Sequence, residues 1–325
     1  MNKGLNLKKY NLSDDEKNFD EVIKKLQNAL ENVEEISGYN INEIVNYQDE
    51  DGGFRPFNGK WGYGDVDCGI YYTKTPSILC TLILINADIL NIYKAPVEIM
   101  KKAFEFMKNN GIAGMGYDKV WVEVQNINLL LENGIKIFLE KYKNEYNEFA
   151  LTFYSWIEDY KKSNYKTDDI NRMLDNYLNN YYIAYGSNLN AKQMESRCPG
   201  STPLKVEFLE GYKLEFNECL TVIKDEEYKT PVVIYKINNQ NERTLDEKEG
   251  VNSNTYRKEY IRLKINGQKR FCLIYIMNDI KERRDVVPSN DYMVKCLEGY
   301  DRFLFDKWYL EDALLRVKNK SRVDE

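Results

Sequence analysis

Residues 181–199 read YYIAYGSNLNAKQMESRCP, and they join two contrasting local patterns. The run Tyr181–Tyr185 is typical of a strand, whereas Ala191–Arg197 has the spacing of a helix. The turn between them contains Tyr185-Gly186-Ser187-Asn188. Backbone N–H groups line up at such a junction, and they suit a carboxylate or another anion. The stretch therefore predicts a loop that holds an anion, at the start of a strand-rich region.

The sequence beyond this turn has the texture of a sheet with a few helices. Seven strands are predicted, at Tyr181–Tyr185, Lys205–Leu209, Lys213–Phe216, Cys219–Lys224, Pro231–Ile237, Tyr256–Ile265 and Arg270–Met277. Helices are predicted at Ala191–Arg197, Gln240–Lys248, Asp291–Phe303 and Lys307–Lys318. Asn266-Gly267 between the last two strands is a strong hairpin signal. This part of the chain is expected to be α+β.

The sequence before the turn is mainly helical in pattern, from about Asp15 to Tyr160. Ile78–Tyr93 and Val97–Lys108 look like buried or amphipathic helices. Residues 161–170, KKSNYKTDDI, interrupt the pattern and suit a linker, and residues 170–178 suit one more helix. A chain of 325 residues is long enough for two cores. We predict a helical domain at 1–175 and an α+β domain at 176–325.

Composition excludes several kinds of function. The net charge of −6 argues against nucleic-acid binding, which needs a concentrated basic surface. The chain contains no histidine, and this removes Ser-His and Cys-His pairs, His-ligated zinc and imidazole acid–base catalysis. Any proton transfer must therefore use Glu, Asp, Lys, Tyr or Cys.

The cysteines and the hydropathy of the sequence indicate the cellular compartment of the protein. The six cysteines form no C-x-x-C pair, and residues 1–17 contain no apolar signal core. The longest apolar run, Ile78–Leu90, is interrupted by Asn86 and Asp88 and is too short to span a bilayer. We expect a cytoplasmic protein without a membrane partner, with reduced and mostly buried thiols.

A second motif, LDEKEGVNSNTY at Leu245–Tyr256, places Glu249 next to a glycine that ends a helix. A loop for a small anionic substrate and one carboxylate able to move a proton form the skeleton of a simple enzyme. Taken alone, Glu249 also fits a solvated residue of the last helical turn. The neighbouring Asp246, Glu247 and Lys248 fit surface charges.

The C-terminal half resembles the γ-glutamylcyclotransferase family, also called AIG2-like. The blocks that carry the resemblance follow the family's order: Tyr185–Leu189, Met194, Arg197-Cys198-Pro199, Gly211–Phe216, Leu245–Val251, Tyr256 and Pro288–Tyr292. The resemblance implies a small mixed β-barrel with flanking helices and a substrate pocket at one mouth. It also implies conversion of a γ-glutamyl amide, a small-molecule substrate, into 5-oxoproline and a free amine.

The resemblance further implies roles for individual residues. Glu249 matches the family's catalytic acid–base residue. The matching substrate-binding residues are Tyr185, Gly186, Ser187, Asn188, Leu189, Tyr256 and Tyr292. The last two tyrosines also fit plain aromatics at the edge of a core. Arg197 and Cys198 fit structural roles at the end of a helix.

The implied chemistry suits a chain without histidine. The α-amine of a γ-glutamyl amide reaches its own γ-carbonyl, so restricting the conformer supplies much of the acceleration without a metal or a covalent intermediate. The amine has a pKa of about 8, so a base must remove a proton. Glu249 is expected to take this proton and deliver it to the departing amine, with its pKa raised by burial. No metal and no other cofactor is expected.

Two alternatives stay open for this half of the chain. One is a catalytically inert binding or regulatory protein that keeps the fold, and the other is a biosynthetic enzyme that removes a γ-glutamyl protecting group. Family members often carry glycine in the strand aligned with Pro231–Ile237, where this chain has Val232. Valine adds bulk there, so the amine half of the substrate stays open. The oligomeric state also stays open.

The N-terminal half contains an internal echo. Asn42–Phe57 and Ala103–Asp118 are both helical runs that end in a Gly-rich loop. The first copy resembles the Q-x-x-D-G-G-F element of helical toroids in prenyltransferases and terpene cyclases. Simple closure of helices by glycine is the favoured alternative. Asp65-Val66-Asp67-Cys68 is only a partial likeness of the cyclase D-x-D-D acid, so the role of residues 1–175 stays open.

Overall fold

The computed structural model describes residues 15–55, 66–113, 119–164, 167–278 and 286–321. Its contacts divide the chain into two compact units, residues 1–177 and 178–325. The first unit is mainly helical, and the second combines a mixed five-stranded sheet with helices. The chain is therefore an α+β protein, as predicted.

Eight helices occupy the described part of the first unit. Their bounds are α1 Asp15–Glu31, α2 Gly38–Val45, α3 Val66–Ile89, α4 Val97–Asn110, α5 Lys119–Glu132, α6 Ile135–Lys141, α7 Asn147–Lys162 and α8 Asp168–Leu178, whose last residue belongs to the second unit. Helix α3 begins before the predicted Ile78 and runs through Pro76. The predicted linker is shorter than expected, because α7 continues to Lys162 and α8 begins at Asp168.

The Q-x-x-D-G-G-F segment forms a loop that ties α2 to α4. The Gln48 Nε2 atom donates hydrogen bonds to the carbonyls of Gly52 at 3.1 Å and Ile99 at 2.8 Å. Gly52 has φ +89°, and a Cβ there would lie 2.1 Å from the Lys102 carbonyl oxygen. Glycine is therefore required by a close approach of two backbones. Residues 114–118 of the second copy lie outside the described residues, as does the start of the D-x-D-D-like segment, and the toroid similarity stays a prediction.

The second unit is built on a sheet of order β2-β3-β1-β5-β4. The strands are β1 Asn179–Ala184, β2 Thr202–Asn217, β3 Cys219–Asn238, β4 Tyr256–Ile265 and β5 Gln268–Met277. β1 and β5 are parallel, and the other neighbours are antiparallel. In the described residues no ladder joins the outer strands β2 and β4; a hydrogen bond from Lys205 Nζ to the Lys264 carbonyl connects them at 3.3 Å. The predicted mixed barrel is thus a mixed five-stranded sheet whose outer strands are linked by a side-chain hydrogen bond.

Two strands are longer than the sequence pattern indicated. β2 and β3 were each predicted as two short strands, and each is a single strand in the structure. The ladder shifts register between Pro203 and Lys205 and between Glu210 and Tyr212, and Gly211 has φ +74°. These β-bulges break the alternation of apolar residues, so one bent strand has the sequence pattern of two. The Asn266-Gly267 hairpin is confirmed, with φ of 51° and 82°.

Four helices pack on this sheet in the described residues: α9 Ala191–Arg197, α10 Asn239–Lys248, α11 Asn290–Arg302 and α12 Trp308–Ser321. The core contains Tyr235, Tyr275 and Tyr300, all fully buried. Helix α11 approaches the loop after β1 so closely that a Cβ at Gly299 would lie 2.5 Å from Leu189 Cβ. The sheet and α11 therefore fix the position of that loop.

The described residues bear on the predicted absence of membrane spans and on the state of the thiols. None of their helices combines the length and the hydropathy needed to cross a membrane. No disulfide joins the five cysteines whose side chains are described, and four of these are buried.

Candidate functional site

The Tyr185–Leu189 loop follows β1 and makes one 3₁₀ turn. The turn closes through a hydrogen bond from Leu189 N to the Gly186 carbonyl at 2.9 Å. Within the described part of the chain, no hydrogen bond leaves the backbone N–H groups of Gly186, Ser187 and Asn188. Groups at the start of a helical turn lack intrahelical partners. The loop therefore has three adjacent N–H groups that lack a hydrogen bond within the described residues, and the anion site expected from its sequence stays a prediction.

Two side chains of the loop face the core instead. Tyr185 is buried, and its hydroxyl donates a hydrogen bond to the Tyr275 carbonyl at 2.6 Å. Leu189 is fully buried beside Gly299 of α11. Both side chains anchor the loop to the sheet and the helix. They can serve a substrate only through the position that they give to the backbone between them.

Glu249 occupies the end of α10 and has a fixed backbone. Gly250 has φ +65°, its N–H donates to the Glu247 carbonyl at 3.2 Å, and Val251 N donates to the Asp246 carbonyl at 2.9 Å. This pair of bonds is a Schellman motif, which glycine favours because φ is positive. The Glu249 side chain is only 14% exposed. It is therefore not a solvated residue of the last helical turn.

The Glu249 carboxylate meets the Tyr-Gly-Ser-Asn loop directly. Asn188 Nδ2 donates a hydrogen bond to Glu249 Oε1 at 3.0 Å. Arg197, at the end of α9, contacts the same oxygen through Nη1 at 2.8 Å and the Asn188 Oδ1 atom at 2.9 Å. Asn188 and Arg197 thus form one closed triangle with Glu249, which is more than 50 residues further along the chain.

Two further polar side chains complete the bonding of Asn188. Its Nδ2 donates to the Tyr182 hydroxyl at 2.6 Å, and its Oδ1 accepts from Gln193 Nε2 at 3.1 Å. Gln193 Nε2 also donates to Ser187 Oγ at 2.7 Å. The Asn188 amide is buried and has partners on both of its ends. Such a satisfied amide holds its orientation, and with it the position of Glu249.

Burial and charge act in opposite directions on Glu249. Burial raises the pKa of its carboxyl above 4.5, while the Arg197 guanidinium and the Asn188 amide lower it, and burial prevails. Burial also raises the pKa of the neighbouring Tyr182, so that its hydroxyl stays neutral. A raised pKa makes a carboxyl a better proton acceptor, which is the direction that a group exchanging protons with a substrate needs.

The two predicted pocket tyrosines both bind the backbone of Leu220, at the start of β3. The Tyr256 hydroxyl donates to the Leu220 carbonyl at 2.9 Å, and the Tyr292 hydroxyl accepts from Leu220 N at 2.9 Å. A Cβ at Gly186 would lie 3.4 Å from Leu220 Cβ and from the Tyr292 hydroxyl. Tyr292 and Leu220 therefore lie beside the loop, and both tyrosine hydroxyls are already committed to the backbone.

Sequence reasoning missed three members of this network: Tyr182, Gln193 and Arg197. Arg197 was assigned a structural role, whereas it forms an ion pair with Glu249. Gln193 and Arg197 are four residues apart, so they share one face of α9, and this spacing was the available signal. Cys198 is buried, with its Sγ 3.8 Å from the Asn241 carbonyl, which fits the structural role predicted for it.

Val232, the predicted departure from the family pattern, lies in β3 and is fully buried. It is one position beyond the Ala184–Val233 pair that ends β1. Its bulk is therefore next to the start of the loop, and the amine half of a substrate stays open.

Comparison with known proteins identifies a family that the second unit resembles. The sequence model of the AIG2-like family matches residues 231–311, a span that contains Glu249, Tyr256 and Tyr292. The predicted resemblance of the C-terminal half to this family is therefore confirmed over that span. The comparison with curated proteins gave no match.

Several solved structures are similar to part of the chain. An uncharacterized protein from Homo sapiens, loc79017, is 26% identical over 38% of this chain and 79% of its own, with a TM-score of 0.35. A gamma-glutamyl cyclotransferase is 24% identical over 42% and 86%, with a TM-score of 0.36. YkqA from Bacillus subtilis is 22% identical over 43% and 54%, with a TM-score of 0.36.

Proposed function

We propose that the second unit is a γ-glutamylcyclotransferase, which releases 5-oxoproline and a free amine from a γ-glutamyl amide. The observation that carries the proposal is the 3.0 Å contact between the Asn188 amide of the anion loop and the buried carboxylate of Glu249. It brings a proton carrier to the loop that would hold the glutamyl group. The match of residues 231–311 to the AIG2-like family supports the same class.

The loop would bind and orient the substrate. The N–H groups of Gly186, Ser187 and Asn188 point to no acceptor in the described residues, so they can bind the α-carboxylate or the oxyanion that forms on the γ-carbonyl. Holding the glutamyl chain folded brings the α-nitrogen to the γ-carbon. This conformation makes ring closure the favoured reaction and supplies much of the rate acceleration.

Glu249 would move the protons. It takes one proton from the α-ammonium, and the freed amine attacks the γ-carbonyl carbon to form the five-membered ring. The bond between the γ-carbon and the departing nitrogen then breaks. Glu249 gives this proton to the departing nitrogen, which leaves as a neutral amine. The ring nitrogen loses its second proton to solvent, and the released amine takes one proton from solvent to become an ammonium. No covalent bond to the protein forms.

The test is release of 5-oxoproline, followed by mass spectrometry across γ-glutamyl amino acids, amines and peptides. Wild-type protein is expected to turn over at least one member of the panel. Glu249→Gln is expected to keep the fold and lose activity by about 10²–10⁴-fold, since the amide cannot carry a proton. Glu247→Gln, an exposed residue of the same helix end, is the matched control and should leave activity unchanged.

The outcomes separate the proposal from its alternatives. Wild-type turnover in Glu249→Gln would remove this residue from the mechanism. Binding of γ-glutamyl compounds without any release of 5-oxoproline would instead favour an inert binding protein. Turnover of one bulky amine conjugate alone would favour a dedicated biosynthetic step, with selection near Val232 or by the helical unit.

A further inference from the structure

Arg197 bridges the two parts of the proposed site. Its Nη1 atom lies 2.8 Å from Glu249 Oε1 and 2.9 Å from Asn188 Oδ1. The side chain is 22% exposed, so the ion pair is largely shielded from water. A partly buried pair in such geometry is screened much less than one at the surface.

The contacts of the Glu249 carboxylate are unequal. Both hydrogen bonds found for this carboxylate in the described residues, from Asn188 and from Arg197, go to Oε1. Oε2 receives none from the described part of the chain. An oxygen that already accepts a hydrogen bond from a guanidinium is a poor proton acceptor, because binding a proton would sacrifice a charge-assisted bond.

We propose that Arg197 is a positioning residue: it clamps Oε1 of Glu249 to the Asn188 loop and leaves Oε2 as the oxygen that exchanges protons with the substrate. This inference rests on the proposed cyclotransferase function and adds which atom carries the proton and what holds it. Arg197 does not touch the reacting atoms. It acts through the orientation and the ionisation of Glu249.

Among the titratable groups near Glu249, Arg197 is the one that carries a charge at pH 7. The titratable groups near the carboxylate are Tyr182 of β1, Tyr185 just after β1, Arg197 and Cys198 at the end of α9, and Tyr256 of β4. Burial raises the pKa of Tyr182, Tyr185 and Tyr256, and that of Cys198 to about 12. These four are neutral at pH 7, so among these titratable groups Arg197 is the one whose charge offsets the burial of Glu249, together with the hydrogen bond from the Asn188 amide.

The matched variants are Arg197→Gln, Arg197→Lys and the control Arg243→Gln, which removes an exposed arginine from α10. Loss of an opposite charge at this distance should raise the pKa of Glu249 by about 1–3 units. The acidic limb of kcat/KM should move up by a similar amount in Arg197→Gln, and kcat should fall more than KM rises. Arg197→Lys keeps the positive charge, so its acidic limb should return to the wild-type position. Its kcat should recover only in part, because lysine cannot contact Glu249 and Asn188 together as the guanidinium does. Arg243→Gln should change neither.

A readout without turnover keeps the inference separate from the proposed function. In full-length protein with ¹³C-labelled glutamate, the Glu249 carboxyl resonance is assigned by its loss in Glu249→Gln and then titrated. Its pKa should rise in Arg197→Gln and stay unchanged in Arg243→Gln. An unchanged Glu249 pKa in folded Arg197→Gln, or an unmoved acidic limb while wild type turns over, would overturn this inference. The expected titration in a wild type that releases no 5-oxoproline would overturn the proposed function instead.

Discussion

Asn188→Asp is the perturbation that tests the centre of the site most directly. It changes one NH₂ group into an oxygen and leaves the shape of the side chain almost unaltered. The replaced nitrogen lies 3.0 Å from Glu249 Oε1, so the variant places two carboxylates in contact inside a buried network. The Tyr182 hydroxyl can reverse its bond and donate to the new oxygen, and Arg197 keeps its contact on the other side.

The expected cost follows from distance and pH. Two unit charges 3.0 Å apart repel by about 5 kcal/mol at an effective dielectric constant of about 20. Binding one proton to the pair removes this repulsion. Protonating a carboxyl with the ordinary pKa of 4.5 costs about 3 kcal/mol at pH 7 and under about 1 kcal/mol at pH 5. Because Arg197 screens the pair, we expect a loss of about 2–3 kcal/mol at pH 7.

The sign of the pH dependence follows from linkage. When folding raises the pKa of a carboxyl, that group does not lower the free energy of unfolding at a pH below its unfolded pKa. It lowers this free energy progressively as the pH rises toward the folded pKa. The deficit of Asn188→Asp should therefore grow from pH 5 to pH 8. The measurement is hydrogen exchange of peptides from residues 178–325 in the full chain, because two units need not unfold in one transition.

A double variant supplies the control. Asn188→Asp with Glu249→Gln exchanges the amide and the carboxylate, so that the new glutamine can donate to the new aspartate. The exchange should recover at least about 1.5 kcal/mol of the loss at pH 7, as a coupling energy between the two positions. A deficit that is independent of pH, or no recovery in the double variant, would refute the contact between Asn188 and Glu249.

Two further predictions concern neighbouring groups. The acidic limb of wild-type kcat/KM should lie above pH 4.5, because burial raises the pKa of Glu249 and activity is lost as this base is protonated; a limb at or below 4.5 would contradict its burial. Tyr292→Phe should destabilise the second unit by about 1–2 kcal/mol in denaturant titrations, since it leaves the Leu220 N–H unpaired. Tyr300→Phe should cost almost nothing, because that buried hydroxyl has no hydrogen-bond partner among the described residues; equal losses in the two variants would contradict the assigned bond.

Local signals in the sequence predicted much of the second unit. The helix Ala191–Arg197 and the strand Tyr256–Ile265 have the predicted bounds, and the Asn266-Gly267 turn is where the dipeptide indicated. Each of these depends on short-range backbone preferences. β2 was predicted in two pieces because its bulge at Gly211 is fixed by pairing with β3, and such pairing is not visible along one strand.

The sequence predicted only part of the candidate site. The family resemblance pointed to Asn188 and Glu249, which are 61 residues apart and in contact in the structure. Arg197 belongs to one of the blocks that carry the resemblance, but it was given only a structural role because it looked like an ordinary basic residue in the last turn of a helix. Its contact depends on how α9 packs beside α10, and no local pattern encodes that packing.

Under the proposed function, the network would let a chain without histidine carry out acid–base chemistry. A histidine has a suitable pKa by its own nature, whereas a carboxyl must be moved there. At Glu249 the pKa is set by two opposing influences, burial that raises it and one guanidinium with one amide that lower it. Because these influences come from separate residues, each can be changed without altering the proton carrier. Substitutions at Arg197 or Asn188 should therefore tune the pH range of the site, while Glu249→Gln should lower activity by about 10²–10⁴-fold at every pH.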